Sequence, residues 1–194
     1  MLLKDKKIGF CITGSFCTLD KALQQIKKLK EHGADIYPVF SYTVATTDTR
    51  YTTAKEFREK IEEITGRKPI DSIVEAEPFG PLNKLDLMII APCTGNSLAK
   101  LVNGITDTPV LMAAKAHLRN GKPLLLAICT NDALGNNAKN IGLASNTKNI
   151  YLVPFYQDDP IKKSNSLVAN MDSLLDASLM ALKKIQIQPL IKET

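Results

Sequence analysis

Leu85-Asp-Leu-Met-Ile-Ile-Ala-Pro-Cys-Thr-Gly-Asn-Ser-Leu-Ala-Lys-Leu-Val102 passes from an apolar run into small and polar residues and then into a helical pattern. The run Leu85–Ala91 ends at Pro92, Cys93–Ser97 follow, and Leu98, Leu101, Val102 and Ile105 recur at helical spacing. This reads as a buried strand delivering a loop, rich in hydroxyls and carrying one amide, to a helix N-terminus. In an open α/β sheet, ligands bind at the carboxyl ends of strands. Exposed N–H groups at a helix start favour anions there.

Outward from this stretch, strand and helix patterns alternate. Lys7–Thr13 is a short apolar strand, followed by the loop Gly14–Thr18 and a helix over Leu19–His32, which Gly33 stops. Asp35–Phe40 is a second strand, leading into the polar stretch Ser41–Arg50 and a helix over Thr53–Thr65. Ile70–Glu75 reads as a short strand and Glu77–Asn83 as a loop. Leu85–Ala91 and Leu124–Cys129 are continuous apolar runs, as strands covered on both faces require. Between them lie a helix after Ser97 and another over Pro109–Arg119. A helix near Ala133–Ala144, a last strand over Ile150–Phe155 and an amphipathic helix over Leu167–Lys183 complete the chain. Such alternation predicts an α/β fold with a doubly wound, mostly parallel sheet. With no linker or repeat, residues 1–194 read as one domain.

A chain of 194 residues is expected to bury roughly 70% of its unfolded surface. The 25 basic and 20 acidic residues are spread along it. No basic stripe is interleaved with aromatics, so nucleic-acid binding is not indicated; a net charge of +5 fits a pocket that prefers anions. Cys11, Cys17, Cys93 and Cys129 form no Cys-x-x-Cys pair, which excludes the usual zinc and redox motifs. Three of them lie in or beside apolar strands, where a free cysteine is a small hydrophobe. The N-terminus lacks the apolar segment of a signal peptide, and no run approaches the ~20 residues of a membrane span. The expectation is a cytosolic protein with reduced thiols and no membrane partner.

Two turns carry the candidate chemistry. In Ile12-Thr-Gly-Ser-Phe-Cys-Thr18, Gly14 allows a tight turn, and Ser15 and Thr18 place hydroxyls before a helix; one of them could serve only as a cap. Gly-x-Gly-x-x-Gly is absent, which counts against a dinucleotide fingerprint. The second turn is Cys93–Ser97 with Asn103-Gly-Ile-Thr-Asp107. With Ser41, Tyr42 and Thr43, three strand ends present hydroxyls, and a planar ring with a phosphate tail would fit across them. Caps and turn residues would look the same.

Ala91-Pro-Cys-Thr-Gly-Asn-Ser-Leu-Ala-Lys-Leu-Val-Asn-Gly-Ile-Thr-Asp107 resembles the signature of the flavin-containing cysteine decarboxylase superfamily. There a loop of the Ala-Pro-Ala-Ser-Ala-Asn-Thr type, followed by Asn-Gly and Asp, binds FMN. Thr13-Gly-Ser15 resembles that superfamily's phosphate loop. More narrowly, almost the whole chain is similar to the family of bacterial dipicolinate synthase B subunits. The matching segments include Ser41-Tyr-Thr-Val, Thr47-Asp-Thr-Arg50, Val74-Glu-Ala-Glu-Pro78, Pro109-Val-Leu-Met-Ala-Ala-Lys-Ala116, Asn131-Asp-Ala-Leu-Gly135 and Gln157-Asp-Asp-Pro160.

The resemblance implies a Rossmann-like, flavodoxin-like three-layer flavoprotein domain. It also implies a part in converting a cyclic pyridine-dicarboxylate precursor to dipicolinate in a sporulating cell. The nicotinamide-binding A subunit of that synthase would be the partner, supplying NAD(P), and this chain would assemble as a trimer-based homo-oligomer. If FMN is bound, Gly14, Ser15, Ser41 and Thr43 hold its phosphate, while Thr94, Gly95, Asn96 and Ser97 line the ring side and Asp107 completes the motif. The alternatives are a non-redox assembly module of the same fold, or a free-standing FMN enzyme of decarboxylase or prenyltransferase type acting on another small acid.

The departures from the superfamily are specific. Ser41–Thr53 contains no His, and Ile128-Cys-Thr-Asn-Asp132 stands where the decarboxylases carry Met-Asn and the prenyltransferases Arg-Glu-Thr-Pro. Both those activities are therefore disfavoured. Arg50 is placed to pair with a substrate carboxylate, or simply to sit in solvent. Asp158, Asp159, Lys162 and Lys163 form a charged loop suited to an intersubunit contact or a substrate lid. His32 and His117 lie near helix C-termini, where a cationic ring is favoured; neither is expected to be catalytic, and two isolated histidines make no metal site.

Overall fold

The structure is a computed structural model that describes residues 1–82 and 84–192. Its centre is a parallel sheet of β1 (Lys7–Ile12), β2 (Asp35–Phe40), β3 (Leu87–Cys93), β4 (Leu124–Thr130) and β5 (Ile150–Leu152), paired in the order β2-β1-β3-β4-β5. Two further strands, β6 (Phe155–Tyr156) and β7 (Leu167–Ala169), extend it antiparallel. The outer edge of β4 is shared: Leu124–Leu126 pair with β5, while Cys129 and Thr130 pair with β7.

The continuous apolar runs follow from coverage of both faces. Along β3, Leu87, Ile89 and Ala91 enter one core, and Met88, Ile90 and Cys93 the other. Along β4, Leu125, Ala127 and Cys129 alternate in the same way with Leu124, Leu126 and Ile128. On the first face lie α1 (Leu19–Glu31), α3 (Ala54–Thr65) and α8 (Leu174–Leu182), through Ile26, Leu29, Phe57, Ile61 and Leu174. On the second lie α4 (Ile73–Ala76), α5 (Gly95–Val102), α6 (Pro109–Arg119) and α7 (Ala138–Ser145), through Ala76, Leu98, Val110, Ala113 and Ala144. The three-layer α/β architecture and the mostly parallel sheet agree with the sequence reading. Among the described residues, no helix is long and apolar enough to cross a membrane.

Several boundaries differ from expectation, each for a local reason. Ile70 makes only a single bridge to Val39, and Ser72 caps the short α4 by accepting from the Glu75 amide, so Ile70–Glu75 is not a strand. Ser72-x-x-Glu75 is a capping-box pattern that outweighs the β-branched residues around it. Ser41 likewise caps α2 (Tyr42–Thr46) inside the expected polar stretch. Pro154, which has no N–H to give a ladder, splits the expected last strand into β5 and β6. The expected helix from Leu167 begins only at Leu174, because Leu167 and Val168 pair with the free end of β4. Residues 131–137 are turns, so the helix expected from Ala133 starts at Ala138. Ile105 lies beyond α5 and is exposed, not part of its apolar stripe.

His117 also departs from the sequence reading. It is buried on α6, and its Nε2 donates to the Pro123 carbonyl at 2.9 Å. Burial is the main reason its pKa is pushed down to about 4, so the ring is neutral rather than a cation on the helix dipole. A histidine whose folded pKa lies below its unfolded value contributes stability above pH ~6.5 that is lost as pH falls toward 4. That interval corresponds to roughly 3 kcal/mol. Denaturant unfolding between pH 7 and 4.5 is expected to lose stability steeply in the wild type and less so in His117→Gln; equal slopes would show that His117 is not the titrating group.

Candidate functional site

β1 ends at Ile12, and the next residue joins the two turns singled out by sequence. The β1–β3 ladder runs only to Cys11 opposite Ile90, and the β3–β4 register slips between Ile90 and Cys93. Buried Thr13 bridges the gap. Its hydroxyl donates to the Pro92 carbonyl at 2.8 Å and accepts from the Thr94 amide at 3.0 Å. The first turn is thereby fixed against the second.

Beyond Thr13 the chain turns at Gly14, where a Cβ would come within 3.3 Å of Thr43 Cγ2. A 3₁₀ turn, Phe16–Thr18, then leads into α1. Helices α2 to α6 are capped by the side chains of Ser41, Thr53, Ser72, Thr94 and Thr108. At the start of the Phe16–Glu31 segment, neither Ser15 nor Thr18 makes a side-chain cap. The Thr18 hydroxyl instead donates back to the Ser15 carbonyl at 2.7 Å. The Thr18 amide donates to that same carbonyl at 3.0 Å, which leaves the amides of Phe16 and Cys17 with donor capacity for an external acceptor.

In the second turn, Thr94 caps α5 by accepting from the Ser97 amide at 3.2 Å, and its hydroxyl lies 3.0 Å from that of Ser97. Gly95 is packed against the end of β4: a Cβ would fall 2.5 Å from Asn137 Nδ2 and 2.6 Å from Thr130 Oγ1. Asn137 is in turn held by Asp132 and Asn140.

These strand ends line a cavity of about 620 Å³ formed by residues 14–18, 94–96 and 129–131. Its remaining wall comes from the hairpin β6–β7, through Asp158, Lys163 and Ser166. Of the sequence candidates, Gly14, Ser15, Thr94, Gly95 and Asn96 gather on this cavity. The other candidates are engaged off its lining. Ser97 stands behind Thr94, buried. Ser41 is the buried cap of α2. Thr43 packs against Gly14. Asp107 pairs with Lys100 at 2.6 Å. Arg50 is exposed and donates to the Tyr51 hydroxyl at 2.7 Å, its guanidinium 4.9 Å from that ring.

The sequence reading takes residues 128–132 only as a departure from the superfamily motifs, and leaves the charged loop between an intersubunit contact and a substrate lid; neither stands among its cofactor-binding candidates. Applying the strand-end rule to Leu124–Cys129 would have found Thr130 and Asn131, whose hydroxyl and amide follow that strand as Thr94 and Asn96 follow β3. No sequence signal foretold the antiparallel return that brings Lys163 and Ser166 to the rim. The thiols around the site are not equivalent. Burial raises the pKa of Cys11 and Cys93 far above the usual thiol range, and that of Cys129 to about 11. Cys93 in the signature loop is therefore packing, not a nucleophile, whereas Cys17 is exposed on the cavity.

Residues 2–172 match the model of the family described as Flavoprotein. Over 191 residues, 98% of this chain and 96% of the relative, the sequence is 52% identical to the B subunit of dipicolinate synthase from Bacillus subtilis. This chain belongs to the flavoprotein family, among the dipicolinate synthase B subunits. A solved B subunit from Bacillus halodurans superimposes with a TM-score of 0.92 at 50% identity over the full length of both chains. The flavoprotein fold extends to more distant proteins: the DmrB structure of Burkholderia xenovorans, in complex with FMN, gives a TM-score of 0.62 at 20% identity, over 89% of this chain and 93% of that one. A Thermococcus kodakarensis bifunctional protein of coenzyme A biosynthesis is 33% identical over 132 residues, 64% of this chain and 30% of that protein.

Two glycine substitutions with opposite signs test the packing behind this cavity. Gly95→Ala must displace Thr130 or Asn137, and is expected to lower stability by about 1–3 kcal/mol. Gly142→Ala, in α7 with nothing within 4 Å of the new Cβ, is expected to raise it by about 0.5–1 kcal/mol. Thermal melts of both variants check this; equal effects would mean that Gly95 is not in close contact.

Proposed function

We propose that this flavoprotein binds FMN in the cavity at the ends of β1, β3 and β4, and works as the B subunit of a dipicolinate synthase. The observation that carries the reading is the uncapped Ser15–Thr18 segment opening onto the same cavity as Thr94–Asn96. The donor set fits the cofactor. Ser15 and the amides of residues 16 and 17 suit a phosphate, with Ser41 and Thr43 behind the Gly14 turn. Thr94, Gly95 and Asn96 offer a hydroxyl, backbone and an amide to a ring edge. FMN, when bound, supplies a two-electron acceptor for turning a cyclic pyridine-dicarboxylate precursor into the aromatic product.

The chain's own residues would orient and shield. Thr13 holds the two binding turns in fixed relation, so that phosphate and ring subsites are preorganised. The thiols of Cys11 and Cys93, buried and kept neutral, place no charge beneath the ring. Gly95 lets the α5 start approach β4, which brings Thr130 and Asn131 to the same cavity. The nicotinamide chemistry is assigned to the partner, the A subunit, since this chain has no dinucleotide fingerprint. Assembly into a trimer-based homo-oligomer belongs to the same reading.

Titration of the purified protein with FMN is expected to quench flavin fluorescence saturably. Asn96→Ala should weaken binding about tenfold, the value of one lost hydrogen bond in a partly closed site. Reconstituted with the A subunit, the variant should lose dipicolinate formation while the complex persists on size-exclusion chromatography. Absence of FMN binding, whether or not the A subunit is present, would overturn the flavin assignment; loss of complex together with activity would make the chain an assembly module.

A further inference from the structure

The hairpin between β6 and β7 is a built wall of the cavity. Gln157 Nε2 donates to the Ser164 carbonyl at 2.8 Å, and the Lys162 amide donates to Asp159 Oδ1 at 2.9 Å. The Lys163 amide reaches the Asp159 carbonyl at 2.8 Å, and the Ser166 amide reaches that of Lys163 at 2.9 Å. Outside the hairpin, the Leu134 amide donates to the Asn165 carbonyl at 3.0 Å, tying the loop to the turn that follows β4. Five hydrogen bonds thus hold a segment with little apolar burial of its own, so the position of Lys163 at the cavity is set by the backbone.

Among the described residues lining the cavity, Lys163 is the one cation and Asp158 the one anion. They pair at 2.8 Å, with 56% of the lysine side chain and 26% of the aspartate side chain exposed. Lys163 and then Ser166 hold the Asp158 carboxyl below the usual range, and Asp158 raises Lys163, so both are charged at neutral pH. An ion pair this open to water is weak. Lys163 can therefore exchange Asp158 for a better-placed anion within the cavity at little cost. The unpaired amides of residues 16 and 17 already offer a phosphate its own donors, which leaves Lys163 as the charge for a second anionic group.

We infer that Lys163 is the specificity-determining residue for the organic substrate, taking one carboxylate of a small heterocyclic dicarboxylate in exchange for Asp158. This rests on reading the cavity as the site of FMN and such a substrate. The pairing would favour dianions over monoanions of the same ring, by giving a second carboxylate a cation on the hairpin side.

Calorimetric titration of the FMN-treated protein with dipicolinate and with picolinate, its monocarboxylate counterpart, tests the inference. The wild type is expected to prefer dipicolinate, and Lys163→Gln to lose about tenfold in dipicolinate affinity and with it the preference. FMN affinity of the variant, from flavin quenching, should stay within about twofold of wild type, since no hydrogen bond to the cofactor is removed. Asp158→Asn, which releases the competitor, should bind dipicolinate more tightly. Unchanged dipicolinate affinity in Lys163→Gln, no dipicolinate binding by the wild type, or weaker binding in Asp158→Asn would overturn the inference. A parallel loss of FMN affinity in Lys163→Gln would also overturn it, by assigning the lysine to the phosphate. If the wild type takes no FMN yet binds dipicolinate through Lys163, the carboxylate subsite stands and the cofactor reading falls.

Discussion

One threonine hydroxyl couples the two turns on which the site depends. Thr13 sits where the β1–β3 ladder stops and β3 slips register; its amide donates to the Pro92 carbonyl at 3.3 Å, and its hydroxyl adds one bond given to that carbonyl and one received from the Thr94 amide. The bond to the Pro92 carbonyl is buried and the one from the Thr94 amide partly so; without the hydroxyl the Thr94 amide would lose its partner, at a cost of about 1–3 kcal/mol, while the Pro92 carbonyl would keep the Thr13 amide. The hydroxyl joins residues about eighty positions apart in the chain. Through it, the Gly14–Thr18 turn and the start of α5 are held against each other.

From that junction the rest of the cavity follows by packing. α5 lies close to β4 because position 95 is glycine, and Thr130 and Asn137 occupy the space a side chain would need. The sheet below is lined by small apolar groups and neutral thiols, which leaves hydroxyls, amides and one lysine–aspartate pair as the polar features above it. In the proposed reading, backbone donors at the β1 end would serve one anion and the side-chain cation on the hairpin another. Both are arranged around a floor that carries no charge of its own.

The sheet was legible in the sequence because its strands are covered on both sides, and continuous apolar runs such as Leu124–Cys129 report that directly. That one cavity gathers Gly14, Ser15 and Thr94–Asn96 was legible for a similar reason: they follow strand ends, and the strand-end rule needs no tertiary knowledge. What escaped was everything settled by long-range pairing. Leu167 and Val168 scan as the start of a helix, but they are strand because the end of β4 has a free edge to satisfy. Pro154 announced the break between β5 and β6, yet its consequence, a hairpin that returns Lys163 to the cavity, depends on where that edge lies. Ser72-x-x-Glu75 is a cap written in the sequence itself, and it outweighs the β-branched neighbours that suggest a strand. His117 shows the converse limit: its position near a helix end was visible, but its burial, which decides its charge, was not.

In the proposed function, the uncapped turn at residues 14–18 holds the phosphate of a flavin. Comparing the affinities of FMN and riboflavin for the purified protein tests it most directly, since the two ligands differ only in that group. A phosphate held by two or more charge-assisted hydrogen bonds should make FMN bind about a hundredfold more tightly than riboflavin. Equal affinities would contradict the account, because the turn would then contribute nothing to binding.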